Sequence, residues 1–500
     1  MEEKQSNRKS RPTSGPVCIQ VSANLFLFIA SHAYHHSQRP TIDVLPDDTL
    51  LEIFNLYRLQ VSSSEYSWMW PWRKLIHVSQ RWRHIVFSSP RRLHVGLLCK
   101  PGTPVKKNLG IWPALPIIMR YGTQPVYFRK EEENLVAALR HPDRIQKIEL
   151  LTANSVGDGP VAEMRKTMPL LESLDLTLMR GGVLPDDFLG GSAPALRQVV
   201  LDCVAFPALP KFLLSTINLV TLKLLHYPHS EYFSPEALVM GLSASMRLEI
   251  LVIHFPMLLP DTGTFPMERT VLPSLTNLTF HGFIEYFDNF VARIDTPLIE
   301  LIHLRFHNEN VIKFPHLHDF ICRTRQLGSP THAEIRSCKL GSDPDASIVL
   351  LHGPMLTYDT PGPGQLRLDV SMTRPKPVRH LSVISQLSCQ LLPFLSEVPQ
   401  LHIYWFDQSR ILVDASLAVI WAEILRRFSR IEGLHVLIDQ GPNIALALRQ
   451  AASELDPGFL PALRKVLLIV HSSYKQYREL LEPFIKARQL SGNPVDVVYR

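Results

Sequence analysis

Apolar residues recur along this chain with two periods, and the first is helical. After Leu45-Pro46-Asp47-Asp48, apolar side chains fall at Leu50, Ile53, Phe54 and Tyr57. A proline in the first turn and two carboxylates beside the positive end of the helix dipole predict a helix start, with one face buried. A polar break from Gln60 to Glu65 leads to Trp68-Met69-Trp70-Pro71-Trp72. A second pattern then runs through Leu75, Ile76, Val78, Trp82, Ile85 and Val86 until Pro90 stops it. Two or three short helices with facing apolar stripes are expected between residues 41 and 100. Residues 101 to 145 follow as a transition, where Pro101, Pro104, Pro113, Pro116, Pro125 and Pro142 exclude a long uninterrupted helix.

From residue 146 the period changes. The segment L-x-x-L-x-L occurs at Leu171-Leu174-Leu176, Leu196-Val199-Leu201, Leu219-Leu222-Leu224, Leu248-Leu251-Ile253, Leu275-Leu278-Phe280 and Leu301-Leu304-Phe306. Its first positions lie 25, 23, 29, 27 and 26 residues apart. The last two apolar residues of each unit are two apart, as on one face of a strand, and the intervening chain is long enough to return so that strands stack in parallel. Such series resemble leucine-rich repeats, whose period is about 20 to 29 residues. The resemblance holds at the strand and fails after it. Where that family carries asparagine or cysteine, this chain has Met179, Val204, Tyr227, Pro256, Phe283 and Glu309, so apolar packing is expected in place of a hydrogen-bonded ladder. The register blurs from about 310 to 390, around strand-like runs at Ala333 to Ser337 and Leu366 to Val370. It returns at Leu401-Ile403, Leu434-Val436 and Leu463-Val466-Leu468. The expected fold is α/β: a small helical module, then one solenoid over 146 to 500 with a parallel sheet and an irregular middle. An ordinary α/β domain with evenly spaced parallel strands gives similar spacing.

The N-terminal pattern also carries a resemblance. Leu45-Pro46-Asp47-Asp48-x-Leu50-Leu51-x-Ile53-Phe54, Leu75-x-x-Val78-Ser79-x-Arg81-Trp82-Arg83-x-Ile85 and Ser89-Pro90 resemble an F-box, in the phrasing of the large fungal group of F-box proteins. The resemblance covers about 50 residues. It implies contact with a Skp-type adaptor, and through it a cullin ubiquitin ligase, by Leu45, Pro46, Leu50, Ile53, Phe54, Leu75, Val78 and Trp82. The chain departs from the family in a longer connection from Arg58 to Arg73 and in Ser79, where cysteine is common. Periodicity alone equally allows a helical hairpin whose apolar face packs on its own chain.

Charge adds little. Residues 1 to 100 hold 13 Lys and Arg against 7 Asp and Glu, which accounts for the whole net charge of +6. Arg73, Lys74, Arg81, Arg83, Arg91 and Arg92 could touch nucleic acid, but no zinc or RNP motif accompanies them, and a basic face for an acidic protein partner is the expectation. Six scattered cysteines give neither a zinc spacing nor a disulfide framework, which fits a cytoplasmic or nuclear compartment. The basic start and the apolar run Val21 to Ala30 have the outline of a signal peptide. The run is too short to span a bilayer and carries Ser22 and Asn24, so residues 1 to 40 are read as a poorly ordered leader.

In the solenoid, residues flanking the strand leucines belong to its open, concave face. The expected rows are Asp175, Val200, Lys223, Val252, Thr279, Arg305 and Thr177, Asp202, Leu225, His254, His281, His307. Lys223, His254, His281, Arg305 and His307 are the candidate contacts for a protein target. Three histidines in line, about 4.8 Å apart, do not converge on one ion, so no metal is assigned to them. No nucleotide, hydrolase or metalloprotease motif is present, and neither catalytic residues nor cofactors are assigned. The expectation is a non-catalytic substrate receptor of an SCF-type ubiquitin ligase. Its alternative is a leucine-rich interaction scaffold outside any ligase.

Overall fold

The computed structural model describes residues 42–61, 71–89, 93, 96–112, 115–122, 128–152, 158–228, 233–255, 269–307, 313–324, 330–340, 343–351, 364–371, 377–405, 414–438, 441–453, 459–469 and 474–499. The leader, Trp68, Trp70, Arg91, Arg92, Pro256 and Glu309 lie outside these residues. The chain divides into two compact units, Met1–Gly96 and Leu97–Arg500.

In the first unit a 3-10 turn, Ile42–Val44, leads into helix α1 (Asp47–Val61), then α2 (Pro71–Leu75) and α3 (Gln80–Ser88). The second helical stripe is thus two helices, and Ser79 supplies the reason: its side chain accepts a hydrogen bond from the Trp82 N–H at 3.1 Å, capping α3. Phe54 of α1 is buried and meets the Trp82 ring at 4.6 Å. Arg81 donates to Asp47 Oδ1 at 2.9 Å and to the Leu45 carbonyl, tying α3 to the entry of α1.

The second unit is an alternating strand–helix, solenoid-like arrangement with a mostly parallel sheet. Its strands are β1 (Leu97–Cys99), β2 (Ile117–Tyr121), β3 (Ile145–Thr152), β4 (Ser173–Val183), β5 (Gln198–Ala205) and β6 (Thr221–Leu225). Next come β7 (Ile250–His254), β8 (Thr270–Val271), β9 (Asn277–Gly282), β10 (Ile294–Asp295), β11 (Leu301–Phe306) and β12 (His332–Leu340). The last are β13 (Asp343–Leu351), β14 (Gln365–Ser371), β15 (Gln400–Trp405), β16 (Gly433–Ile438), β17 (Lys465–Ile469) and β18 (Asp496–Tyr499). Sixteen of them form one sheet, while β8 and β10 pair separately.

The sheet begins at Leu97, so residues 101 to 145 are not a transition but its first units, including a helix at Phe128–Leu139. Pro104, Pro116 and Pro142 stand at the entries to the helix Val105–Ile111, to β2 and to the turn Pro142–Arg144. There a missing N–H costs no ladder bond, so the prolines mark units instead of breaking them.

Strand residues alternate between buried and half-buried, and parallel pairing lines up the buried ones. Leu174, Val199, Leu222, Leu251 and Leu278 form one row, and Leu176, Leu201, Leu224, Ile253 and Phe280 the next. The sixth unit is a correction. Ile302 and Leu304, not Leu304 and Phe306, pair with Leu278 and Phe280, so its repeat is Ile299-Ile302-Leu304. Positions 302, 304 and 306 are all fully buried and a slip of two keeps the same face inward, so apolar pattern alone cannot choose between the two registers.

The irregular middle has a topological cause. Sheet order there is β11-β14-β13-β12-β15: β13 runs antiparallel between β14 and β12, while β14 lies parallel to β11 and β12 parallel to β15. Beyond it, Leu401, Leu434 and Val466 resume one buried row and Ile403, Val436 and Leu468 the next, as the sequence pattern predicts. Behind the first half, aromatic rings take the place of a turn ladder. Phe206 meets Phe212 at 5.3 Å, Tyr227 meets Phe255 at 5.7 Å, and Phe280 meets Phe287 at 5.0 Å. Tyr227 also supplies a polar contact, its hydroxyl accepting from the Phe206 N–H at 2.8 Å. Among the described residues, no helix is long and apolar enough to cross a membrane.

Candidate functional site

The side chains that alternate with the buried apolar rows form the other face of the sheet, mostly half-buried from β4 to β11 and buried around β13, and pairing defines its rows residue by residue. One runs Glu149, Asp175, Val200, Lys223, Val252, Thr279, His303, Arg367, Val349, Glu334, His402, His435. Two residues further along each parallel strand, and two back along β13, runs Thr177, Asp202, Leu225, then His254, His281, Arg305, Asp369, Ser347, Arg336, Tyr404. Polar and imidazole side chains therefore concentrate on either side of β13.

On the β7–β14 side, His254 and His281 stack with ring centroids 3.9 Å apart and planes within 4°. The Nε2 atoms of both are buried without a hydrogen-bond partner among the described residues. His303 meets His281 at 5.4 Å and hydrogen-bonds Asp369 Oδ2 at 2.9 Å. Arg367 donates to the same carboxylate at 2.8 Å. Burial, then repulsion from His226, pushes His254 down to about 4, and burial with repulsion from His254 and His303 pushes His281 to about 2. Both imidazoles are neutral at pH 7. Burial acts to raise Asp369, but hydrogen bonds from His303 and Arg367 outweigh it and hold the carboxyl below its ordinary range.

On the β12–β16 side, His402 lies 4.4 Å from His435 and 5.8 Å from His332. Burial, then these two neighbours, pushes His402 down to about 4. Glu334, fully buried, accepts from Arg336 Nε at 2.7 Å through Oε2, and its Oε1 has no hydrogen-bond partner among the described residues. The Arg336 guanidinium lies 5.7 Å from the centre of the Tyr404 ring. Glu334, Tyr404 and His402 are all buried, so this flank holds its polar groups in fixed positions within the packing, whereas the β7–β11 flank leaves imidazole and guanidinium groups half-exposed.

Lys223, His254, His281 and Arg305 all lie on this face, half-buried. Arg305 stands in the histidine row, paired with His281, because of the two-residue shift in β11. His307 is corrected for the same reason: it falls beyond the strand, exposed, with its N–H on the Gly282 carbonyl. In the helical unit Leu45, Leu50, Phe54 and Trp82 are buried, Ile53 and Leu75 half-buried, and Pro46 and Val78 exposed.

No protein-family model matches the chain, and no curated protein matches it. Among solved structures, the crystal structure of a Bacteroides fragilis protein aligns over 96% of this chain and 82% of that one, at 9% identity. Its TM-score of 0.16 supports no conclusion about fold or function.

The sequence pattern missed His303, Arg367, Asp369, Glu334, Arg336 and His402. Their signal was present as alternation in His303-Leu304-Arg305, Arg367-Leu368-Asp369 and Glu334-Ile335-Arg336. Only the strand order brings these three runs side by side.

Proposed function

We propose that this chain is a repeat-type interaction scaffold that binds a protein partner across the open face of its sheet, on the rows from β6 to β11. The observation that carries the reading is the face itself: Lys223, His254, His281, His303 and Arg305 stand half-buried on neighbouring strands while the apolar rows turn inward, Phe280 onto Phe287. Cross-linking of the tagged full chain followed by mass spectrometry tests it. Partners captured by the native chain and lost from a Lys223→Glu, Arg305→Glu variant are expected. An unchanged partner set would move binding to another surface.

A second reading, recruitment of that partner to an SCF-type ubiquitin ligase, draws on the helical unit. Val44, Leu56 and Val78 are large apolar residues there at 61%, 46% and 57% exposure, the kind of surface an adaptor helix could cover. Its test is pull-down of a purified Skp-type adaptor by the full chain and by a Val44→Asp, Val78→Asp variant. Binding lost in the variant supports the receptor reading. No binding by the native chain leaves the scaffold reading alone.

A further inference from the structure

Asp202 and Cys203 are consecutive residues of β5, and an undistorted strand would send their side chains to opposite faces. Here it does not. β4 bulges beside this point, its pairing jumping from Thr177↔Asp202 to Gly182↔Val204, and Cys203 takes φ +56°. Neither side chain is buried, while Val204 returns to the core. His226, just past the end of β6, has φ +44°. Four described non-glycine residues have positive φ, and two of them are this cysteine and this histidine.

Their ligand atoms converge. Asp202 Oδ1 is 2.8 Å from His226 Nδ1 and 3.6 Å from Cys203 Sγ, and the carboxylate, thiol and imidazole atoms all lie within 4.8 Å of one another. Ligand atoms around a tetrahedral zinc ion are about 3.3 to 3.7 Å apart. The oxygen–sulfur distance already has that value, and the oxygen–nitrogen distance needs to open by about half an ångström, within reach of the exposed His226 side chain.

We propose that Asp202, Cys203 and His226 form a binding site for a zinc-class divalent metal ion, with a fourth coordination position left to water or to a side chain of a bound partner. The donor set is one carboxylate, one thiolate and one neutral imidazole, whose two negative charges balance the ion and whose sulfur and nitrogen discriminate against magnesium and calcium. The ion takes the thiolate form of Cys203, so metal binding displaces the thiol proton to solvent. His254 meets the His226 ring edge-on at 6.0 Å and helps to fix its orientation. The site lies at the ends of β5 and β6 on the open face, so an ion there would clip two strands of the interaction surface together.

The test is titration of metal-free, reduced full-length protein with cobalt(II), which reports thiolate ligation by a charge-transfer absorption band. One equivalent giving that band, displaced by zinc, is the expected result. The band should vanish in Cys203→Ser and persist in Cys322→Ser, whose Sγ lies 3.7 Å from His318 Nε2 in a competing pair. His226→Asn, at an exposed position whose left-handed backbone asparagine tolerates, should weaken cobalt binding by at least about tenfold. Circular dichroism of the metal-free variants checks that the fold is intact. Absence of a thiolate band in the native chain, or a band that survives Cys203→Ser, overturns the assignment.

Discussion

The two flanks of β13 use the same residue types in opposite order. β14 presents Arg367-x-Asp369 and β12 presents Glu334-x-Arg336, so across β13 each charge faces its opposite two strands away. On the β14 flank the acid also lies level with β11 and reaches across to His303, giving a carboxylate with two donors. On the β12 flank the acid bonds only along its own strand, leaving Oε1 unsatisfied among the described residues, and the arginine leans on an aromatic ring instead. Position along the strand, more than composition, decides whether a buried charge is cross-linked to its neighbours.

The largest expected effect separates the flanks directly. Asp369→Ala strands His303 and Arg367 beside an empty site and should cost about 3 kcal/mol in urea unfolding, at the lower end of buried pairs because both partners are partly exposed. Glu334→Ala should cost about 1 to 2 kcal/mol, since one of its oxygens already lacks a partner. Equal losses would break the comparison.

Acid titration gives the next effect. His254, His281 and His402 hold folded values near 4, 2 and 4 against an ordinary value of 6.5, so below pH 6.5 the unfolded chain binds protons that the folded chain refuses. Their contribution is complete above pH 6.5 and is lost as pH falls from there toward 4, so the thermal midpoint should drop over that window. His281→Gln should remove a slope that continues to lower pH than the one His402→Gln removes, because His281 has the larger shift. As a reference outside the sheet, Ser79→Ala removes the α3 cap and should cost about 1 kcal/mol in melting of the helical unit, leaving the acid slope unchanged.

Most of the fold was legible where apolar periodicity has a single solution. Leu174 to Leu278 and Leu401 to Val466 appear in sequence as they pair in space, although β4 also turns a third residue, Leu178, inward. β11 was misregistered because Ile302, Leu304 and Phe306 offer two equivalent pairs, and that slip carried His307 onto the surface row in place of Arg305. The first units were hidden by prolines that a propensity argument treats as breakers and the fold uses as strand and helix entries. The polar array around β13 was not legible at all. Its members are separated by whole strands in sequence, and no local pattern says that β14 inserts beside β11.

The reversed strand also bears on how the chain is made. A solenoid of purely parallel units can lengthen at its growing end, each new strand finding its neighbour already in place. When β11 leaves the ribosome, its next neighbour has not been made, and β12 and β13 must appear before β14 can close against it. Synthesis therefore passes through a stage in which the β11 edge stands bare, a row of unpaired amides and carbonyls adjoining Phe306. That edge is where a chaperone would be needed and where two nascent chains would most readily exchange strands.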